Sequence, residues 1–351
     1  MEKTKDINYG LVFEEVKEQD WVFGASPLQN KVIFADGHGW QKFICQSEIQ
    51  FNRNFDSFSC VTYAILKALV MHIYCVYGIL LDLDEMFTAV MSRTIPGVGN
   101  SVRNVMESLR LDGFVEEYIA TKLRYAFDAN TTKQMFFADQ PYKLVQEALK
   151  SIIKWKINWE ALTTSNNVPH SLIVGALKYS PVVITGRAWI KNDKTGLYVD
   201  EGLPANHAHL AVDYDSKNPD IIIDSDTYPK DFQYKENVTQ DDLIKQLDPT
   251  YRIWSAHKIT AEPIISSEPK NFLLNKIKDM LKNIIRCNKV TNSKLEIGAG
   301  SLWFTKDGKR QRFNKWSLDA ITLMTVNFGV QQASDTEIAK FKETSEFFPA
   351  N

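Results

Sequence analysis

The longest apolar run in the chain starts at Cys60 and extends to residue 83, interrupted by Lys67, His72 and Asp82. Its length would suit a bilayer, but the charges inside it and Asp84 directly after it predict a helix buried through a globular core. The polar stretch 52–59 precedes it, so Cys60 stands where a loop becomes a helix. Helical patterning continues over residues 83–92 and over 101–112, the latter stopped by Gly113. Between them lies the loop Pro96-Gly97-Val98-Gly99-Asn100. Further helices are predicted over 142–155 and 170–177. The pattern then turns to strands, at Pro181-Val182-Val183-Ile184-Thr185-Gly186, at 208–214 and at 221–223.

The two ends read differently. Residues 1–45 mix short apolar groups with turns such as Ala35-Asp36-Gly37-His38-Gly39-Trp40 and carry no evident chemistry. Past Pro263 the composition shifts. Residues 269–289 predict one amphipathic helix, with Phe272, Leu273, Ile277, Met280, Leu281, Ile284 and Ile285 on one side. Asp307-Gly308 predicts a hairpin. The expected fold class is therefore α+β, divided into an N-terminal extension (1–45), a main domain (46–265), a connector helix (266–290) and a small C-terminal module (291–351).

Composition narrows the function classes. The 351 residues are 44% hydrophobic and 12% aromatic, enough for a large core. A formal net charge of −2 gives no global attraction to nucleic acid or anionic lipid, so neither nucleic-acid binding nor stable membrane insertion is expected. The four cysteines show neither CxxC spacing nor the density of a disulfide scaffold, and reduced thiols are expected. The first residues lack the apolar core of a secretory signal, so a cytoplasmic location is expected. His207 and His209 share a strand face, but with no third partner nearby they make a weak metal signal, and no cofactor is expected.

The chemistry rests on chain order. A thiol at a helix start, Cys60, is followed far downstream by a strand histidine, His207, and then by a carboxylate, Asp224. These are the components of a cysteine hydrolase. The helix N-terminus would stabilise the thiolate, and His207 would exchange its proton. Asp224 would orient the imidazole and favour a thiolate–imidazolium resting pair.

These residues resemble the papain-like cysteine peptidases. Leu177-Lys178-Tyr179-Ser180-Pro181-Val182-Val183-Ile184 is similar to the family's "gPV" strand, and Asn206-His207-Ala208-His209-Leu210-Ala211-Val212-Asp213-Tyr214 to its "NHAVLAVGY" strand. Ile223-Asp224-Ser225 looks like the "K-N-S-W" site, with Asp for Asn. Gly97-Val98-Gly99-Asn100 resembles the substrate-flanking glycine loop. The "CGSCW" signature is reduced to the nucleophile in Ser57-Phe58-Ser59-Cys60-Val61. Trp21-Val22-Phe23-Gly24 and Gln46-Ser47-Glu48-Ile49-Gln50 are similar to divergent phage and bacterial members, which would allow association with a virion.

The resemblance implies a two-lobed fold, one helical and one β-rich, that hydrolyses peptide bonds in peptide or protein substrates. It implies an amide beside the oxyanion: Gln50 by the divergent pattern, or Asn54 by its distance from Cys60. Gly97 and Gly99 would bind substrate, and His209 would be structural. A cell-wall peptidoglycan amidase or endopeptidase with the same Cys-His chemistry is one alternative. An inactive structural or virion protein of this fold is another. The C-terminal helix and module are expected to pack on the main domain or on a docking partner.

Overall fold

Cys60–Tyr77 forms helix α1, buried without interruption from residue 60 to residue 73. In the computed structural model the described residues are 8–264, apart from 18–21, 24–30, 46–47, 124, 126, 129, 139, 189, 201 and 231–237, together with the backbone of five strands after residue 264. Among them α1 alone is long and apolar enough to cross a membrane. Its burial on every side makes it a core helix instead. Two of the polar groups it takes into the core are matched: His72 Nδ1 accepts from Ala261 N–H at 3.4 Å, and Lys67 Nζ donates to the Ser225 hydroxyl and the Asp226 carbonyl.

Helices α2 (Glu85–Met91), α3 (Val102–Leu111), α4 (Glu117–Lys122), α5 (Lys133–Phe136) and α6 (Tyr142–Lys154) follow. Side-chain caps fix three of the starts: the Asp84 carboxylate accepts from Phe87 N–H, the Ser101 hydroxyl from Asn104 N–H and the Thr132 hydroxyl from Met135 N–H. The β part is an eight-stranded sheet built from β1 (Trp155–Ala161), β2 (Val182–Gly186), β3 (Ile190–Lys191), β4 (Tyr198–Val199), β5 (His207–Tyr214), β6 (Ile222–Ser225), β7 (Ile244–Leu247) and β8 (Ile253–Pro263). Their order is β1-β8-β2-β5-β6-β7-β4-β3. Helix α7 (His170–Leu177) precedes β2, and α8 (Gln240–Leu243), started by a Thr239–Asp242 capping box, precedes β7. Both α1 and α7 pack on β5, which accounts for its unbroken burial from His207 to Val212. The α+β class expected from the patterning is the architecture observed.

Two compact units divide the chain, residues 1–140 with 147–263 and residues 141–146 with 264–351. In the second, β9 (Ile284–Lys289), β10 (Leu302–Lys306), β11 (Lys309–Arg312), β12 (Gln331–Ser334) and β13 (Lys342–Glu343) form a sheet in the order β12-β9-β10-β11-β13. Lys306 pairs with Lys309, so β10 and β11 run antiparallel on either side of Asp307-Gly308, where a hairpin is expected and which lies outside the described residues. The amphipathic helix expected over 269–289 is corrected at its end. Residues 284–289 are a strand, while 269–283 lie outside the described residues. The β-branched Ile284 and Ile285 suit a strand as well as a helix face.

A bridge between Leu83 and Glu116 brings the starts of α2 and α4 together and crowds their carboxyls. Burial pushes Asp84 up to about 6, against hydrogen bonds from Phe87 N–H and Glu117. Burial, then the charges of Asp84 and Asp82, push Glu117 up to about 8. A carboxyl raised in the fold holds its proton more tightly there than in the unfolded chain, so stability is lost as pH rises from the ordinary carboxylate range through the folded value. Unfolding free energy should therefore fall between about pH 5 and pH 8, and Glu117→Gln should flatten that fall in urea titrations. An unchanged slope in the variant would remove Glu117 as its source.

Candidate active site

Cys60 is the first residue of α1 and His207 the first of β5, and the packing of helix on strand brings the two starts together. The Cys60 sulfur accepts from the N–H of Ala208, the residue after His207, at 3.4 Å. Both side chains are fully buried. His207 Nε2 lies 2.8 Å from Asp226 Oδ1. Asp226 Oδ1 also accepts from Thr227 N–H at 2.6 Å, and Oδ2 takes the buried ammonium of Lys245 from β7. Lys245 donates in turn to the Tyr228 carbonyl at 2.6 Å. Burial favours the neutral carboxyl, but the charges of Lys245 and then His207 outweigh it and hold Asp226 well below the usual carboxylate range.

The orienting position expected at Asp224 is corrected by this geometry. Asp224 lies 2.7 Å from His209 Nδ1 instead. In the β5–β6 register Leu210 faces Ser225 and Ala211 faces Asp224. Two-residue periodicity then puts both histidines and both aspartates on one face, and each histidine reaches diagonally, His207 to Asp226 and His209 to Asp224.

Gln50 and Asn54 are separated just as clearly. Phe51 bridges Asp56, and Ser57 N–H and hydroxyl both bond back to the Gln50 carbonyl. This hairpin returns Gln50 beside Ser57, three residues before Cys60. Gln50 Nε2 donates to Tyr228 Oη at 2.8 Å and to Asp56 Oδ1 at 2.9 Å, and Oε1 accepts from Thr227 at 3.0 Å. Tyr228 has its ring 5.4 Å from that of His207. Asn54 is exposed at the hairpin tip, where its amide reaches the Thr131 carbonyl at 3.4 Å. It is away from the site.

Residues 8–13 are not inert, contrary to the expectation for 1–45. Tyr9 N–H donates to the Asn206 carbonyl at 3.1 Å, and the Tyr9 carbonyl accepts from Gln50 Nε2 at 3.2 Å. The Tyr9 ring stands edge-on to His207, centroids 6.0 Å apart. Asn100 N–H then bonds to the Gly10 carbonyl at 3.0 Å, and Val12 N–H to the Asn100 carbonyl at 2.9 Å, in a parallel bridge. The segment thus runs beside His207, held through its main chain and bent at Gly10, φ +107°. Gly99, at φ +105°, allows this approach, because a Cβ there would lie 1.9 Å from the Gly10 carbonyl. Gly97 turns the same loop at φ +81°, with open space around it. Of the two expected substrate glycines, only Gly99 touches what lies in the cleft.

Burial sets the charge state of the covered site. It pushes the Cys60 thiol up, against N–H groups of Ala208 and Val61 and with Asp56 and Asp226 adding to the rise. It pushes His207 down, against the pull of Asp226. Both directions run against the expected thiolate–imidazolium resting pair. Among the described residues, no group of three or more His, Cys, Asp or Glu is arranged to hold a metal ion.

No family model matches the sequence, and no curated protein does. Solved structures similar to this chain include xylellain, a cysteine protease from Xylella fastidiosa, at 16% identity and TM-score 0.48, covering 75% of this chain and 98% of that one. The digestive procathepsin L 3 of Tenebrio molitor larval midgut is similar at 14% identity and TM-score 0.46, over 74% and 76% of the two chains. Bromelain from Ananas comosus is similar at 14% and 0.43, over 64% and 97%. Likeness at these scores assigns no activity.

Gly99→Ala should expel residues 8–13 from the cleft, since the new Cβ meets backbone that cannot give way. Mass-mapped alkylation of Cys60 by iodoacetamide should then be at least about tenfold faster than in the parent chain, the equilibrium cost of about 1.4 kcal/mol being modest for such a clash. An unchanged rate would show that the segment does not control access.

Proposed function

We propose that this protein is a thiol-dependent peptidase of papain-like organisation, in which Cys60 is the nucleophile, His207 the proton carrier, Asp226 the orienting group and Gln50 an oxyanion donor. The observation that carries this reading is the segment of residues 9–12 bonded through its main chain beside His207. Its backbone is bonded at the Asn206 carbonyl, at both peptide groups of Asn100 and at Gln50. A cleft that holds polypeptide by its main chain, beside a thiol and a histidine–carboxylate pair, suits peptide-bond hydrolysis better than a site shaped for a small molecule.

The chemistry follows from the geometry. Asp226 holds His207 at Nε2, which assigns proton exchange with the thiol to Nδ1. As the Cys60 sulfur bonds to the scissile carbonyl carbon, its proton passes to His207. The C–N bond breaks, the amine leaves with that proton, and a thioester remains. Water then loses a proton to His207 and attacks the thioester, and the thiol is restored. The oxyanion of each tetrahedral stage would be met by Gln50 Nε2, where the Tyr9 carbonyl now sits, worth about 3 kcal/mol.

A second reading, a protein that keeps this fold without turnover, draws on the complete burial of Cys60 and its raised thiol. Peptide release from denatured protein by the full chain separates the two. Turnover should be lost in Cys60→Ala and in His207→Ala, and Asp226→Asn should lower kcat by about a hundredfold or more. Asp224→Asn should cost less than Asp226→Asn. No release by the parent chain favours the inert reading, and release from purified peptidoglycan alone favours a cell-wall amidase. Should Asp224→Asn be the more damaging substitution, Asp226 is not the orienting group.

A further inference from the structure

The hydrolytic steps use Asp226 but leave out the buried ammonium on its other oxygen. Lys245 stands opposite Asp224 in the β6–β7 register and reaches diagonally to Asp226, two residues further on. Its Nζ donates to Asp226 Oδ2 and, at 2.6 Å, to the Tyr228 carbonyl, and it lies 5.9 Å from the centre of the Tyr198 ring. Lys245 and Asp226 are both buried. Burial, joined by the charge of Lys230, pushes the ammonium down, while Asp226 first and then Asp224 pull it back up. Lys67 of α1 meets the same aspartate at its carbonyl. The two carboxylate oxygens of Asp226 are thus divided. Oδ2 serves the ammonium, and Oδ1 serves Thr227 N–H at 2.6 Å and His207 Nε2 at 2.8 Å.

We propose that Lys245 is a positioning residue that acts on His207 through Asp226: the ammonium claims one oxygen of the side chain at 226, so that only a side chain with a second oxygen can also receive the His207 Nε2–H and leave Nδ1 for the Cys60 proton. The inventory of donors and acceptors explains why. An asparagine at 226 would bring one oxygen and one NH2. Lys245 would keep the oxygen, because an ammonium can only donate, whereas His207 can move its own proton to Nδ1 and accept from the NH2 at Nε2. Thr227 N–H would lose its acceptor in that arrangement, a neutral bond lost while a charge-assisted one is kept. The proton on Nδ1 would then block exchange with Cys60. Replacing Lys245 by methionine as well removes the competing donor, and the amide oxygen turns back to Thr227 and His207.

The tautomer of His207 can be read without turnover, and only its consequence for Cys60 rests on the peptidase reading. The test is nitrogen NMR of the full chain labelled with ¹⁵N-histidine, the His207 signals being assigned through His207→Gln. At neutral pH His207 should carry its proton on Nε2 in the parent chain, on Nδ1 in Asp226→Asn, and on Nε2 again when Lys245→Met is added to Asp226→Asn. Peptide release should follow the tautomer, with kcat in the double variant at least about tenfold above that of Asp226→Asn. A lysine that merely fills space would not act as the site of a suppressor. Retention of the Nε2 proton in Asp226→Asn overturns the inference, because the ammonium then does not take the oxygen. An Nδ1 proton that persists in the double variant overturns it too, as does a double variant that unfolds where Asp226→Asn folds. If Asp226→Asn itself does not fold, a folded double variant with the Nε2 proton supports the inference and an unfolded one overturns it. The predicted tautomers without peptide release by the parent chain would count against the peptidase reading and leave this one standing.

Discussion

The site is organised around a carboxylate taken wholly out of water. An ionised Asp226 with no exposure costs several kcal/mol unless cations and hydrogen bonds replace its hydration, and the fold supplies them from three directions. Lys245 arrives from β7, His207 from the start of β5, and Thr227 N–H from the next residue. Lys67 comes up from α1 to the carbonyl of the same residue. Satisfying Asp226 therefore fixes β5, β6, β7 and α1 relative to one another. The thiol at the head of α1 is brought to His207 by the same constraint. Deleting either lysine would leave a buried charge unmatched and should disturb the fold before it disturbs chemistry.

Much of this was legible in the chain itself. The apolar run behind Cys60 and the strand pattern at His207 gave the helix and the strand, because burial writes itself into hydropathy. Asp224 was the wrong carboxylate for His207 because residues two apart on a strand face the same way. Which aspartate meets which histidine depends on a diagonal that register and twist decide, not composition. One signal was available: Asp226-Thr227-Tyr228 follows the order of polar, hydroxylic and aromatic residues in N-S-W, which the stretch starting at Asp224 does not. Gln50 was misleading in spacing alone, since the Phe51–Asp56 bridge folds the intervening residues away.

The role of residues 8–13 was not legible at all. Tyr9, Gly10 and Val12 bind through peptide groups, and a backbone N–H or C=O leaves no mark in the sequence. The consequence is electrostatic as well as steric. Burying Cys60 and His207 removes the water that would stabilise their ions, which works against a thiolate–imidazolium pair. Opening the cleft would both admit substrate and readmit the solvent that favours the reactive pair. On the peptidase reading proposed above, access and activation would be coupled through one segment.

The most direct measurement of the central claim, that Cys60 belongs to a nucleophilic unit with His207 and Asp226, is reaction of the full chain with a peptidyl epoxide followed by mass mapping. Cys45 and Cys75 are half-buried whereas Cys60 is buried, so simple exposure would favour the first two. The account predicts the opposite order in the Gly99→Ala chain, where residues 8–13 no longer control access, with Cys60 modified first and the preference lost when His207→Ala is added. Labelling that follows exposure, with Cys45 and Cys75 modified ahead of Cys60, would contradict it.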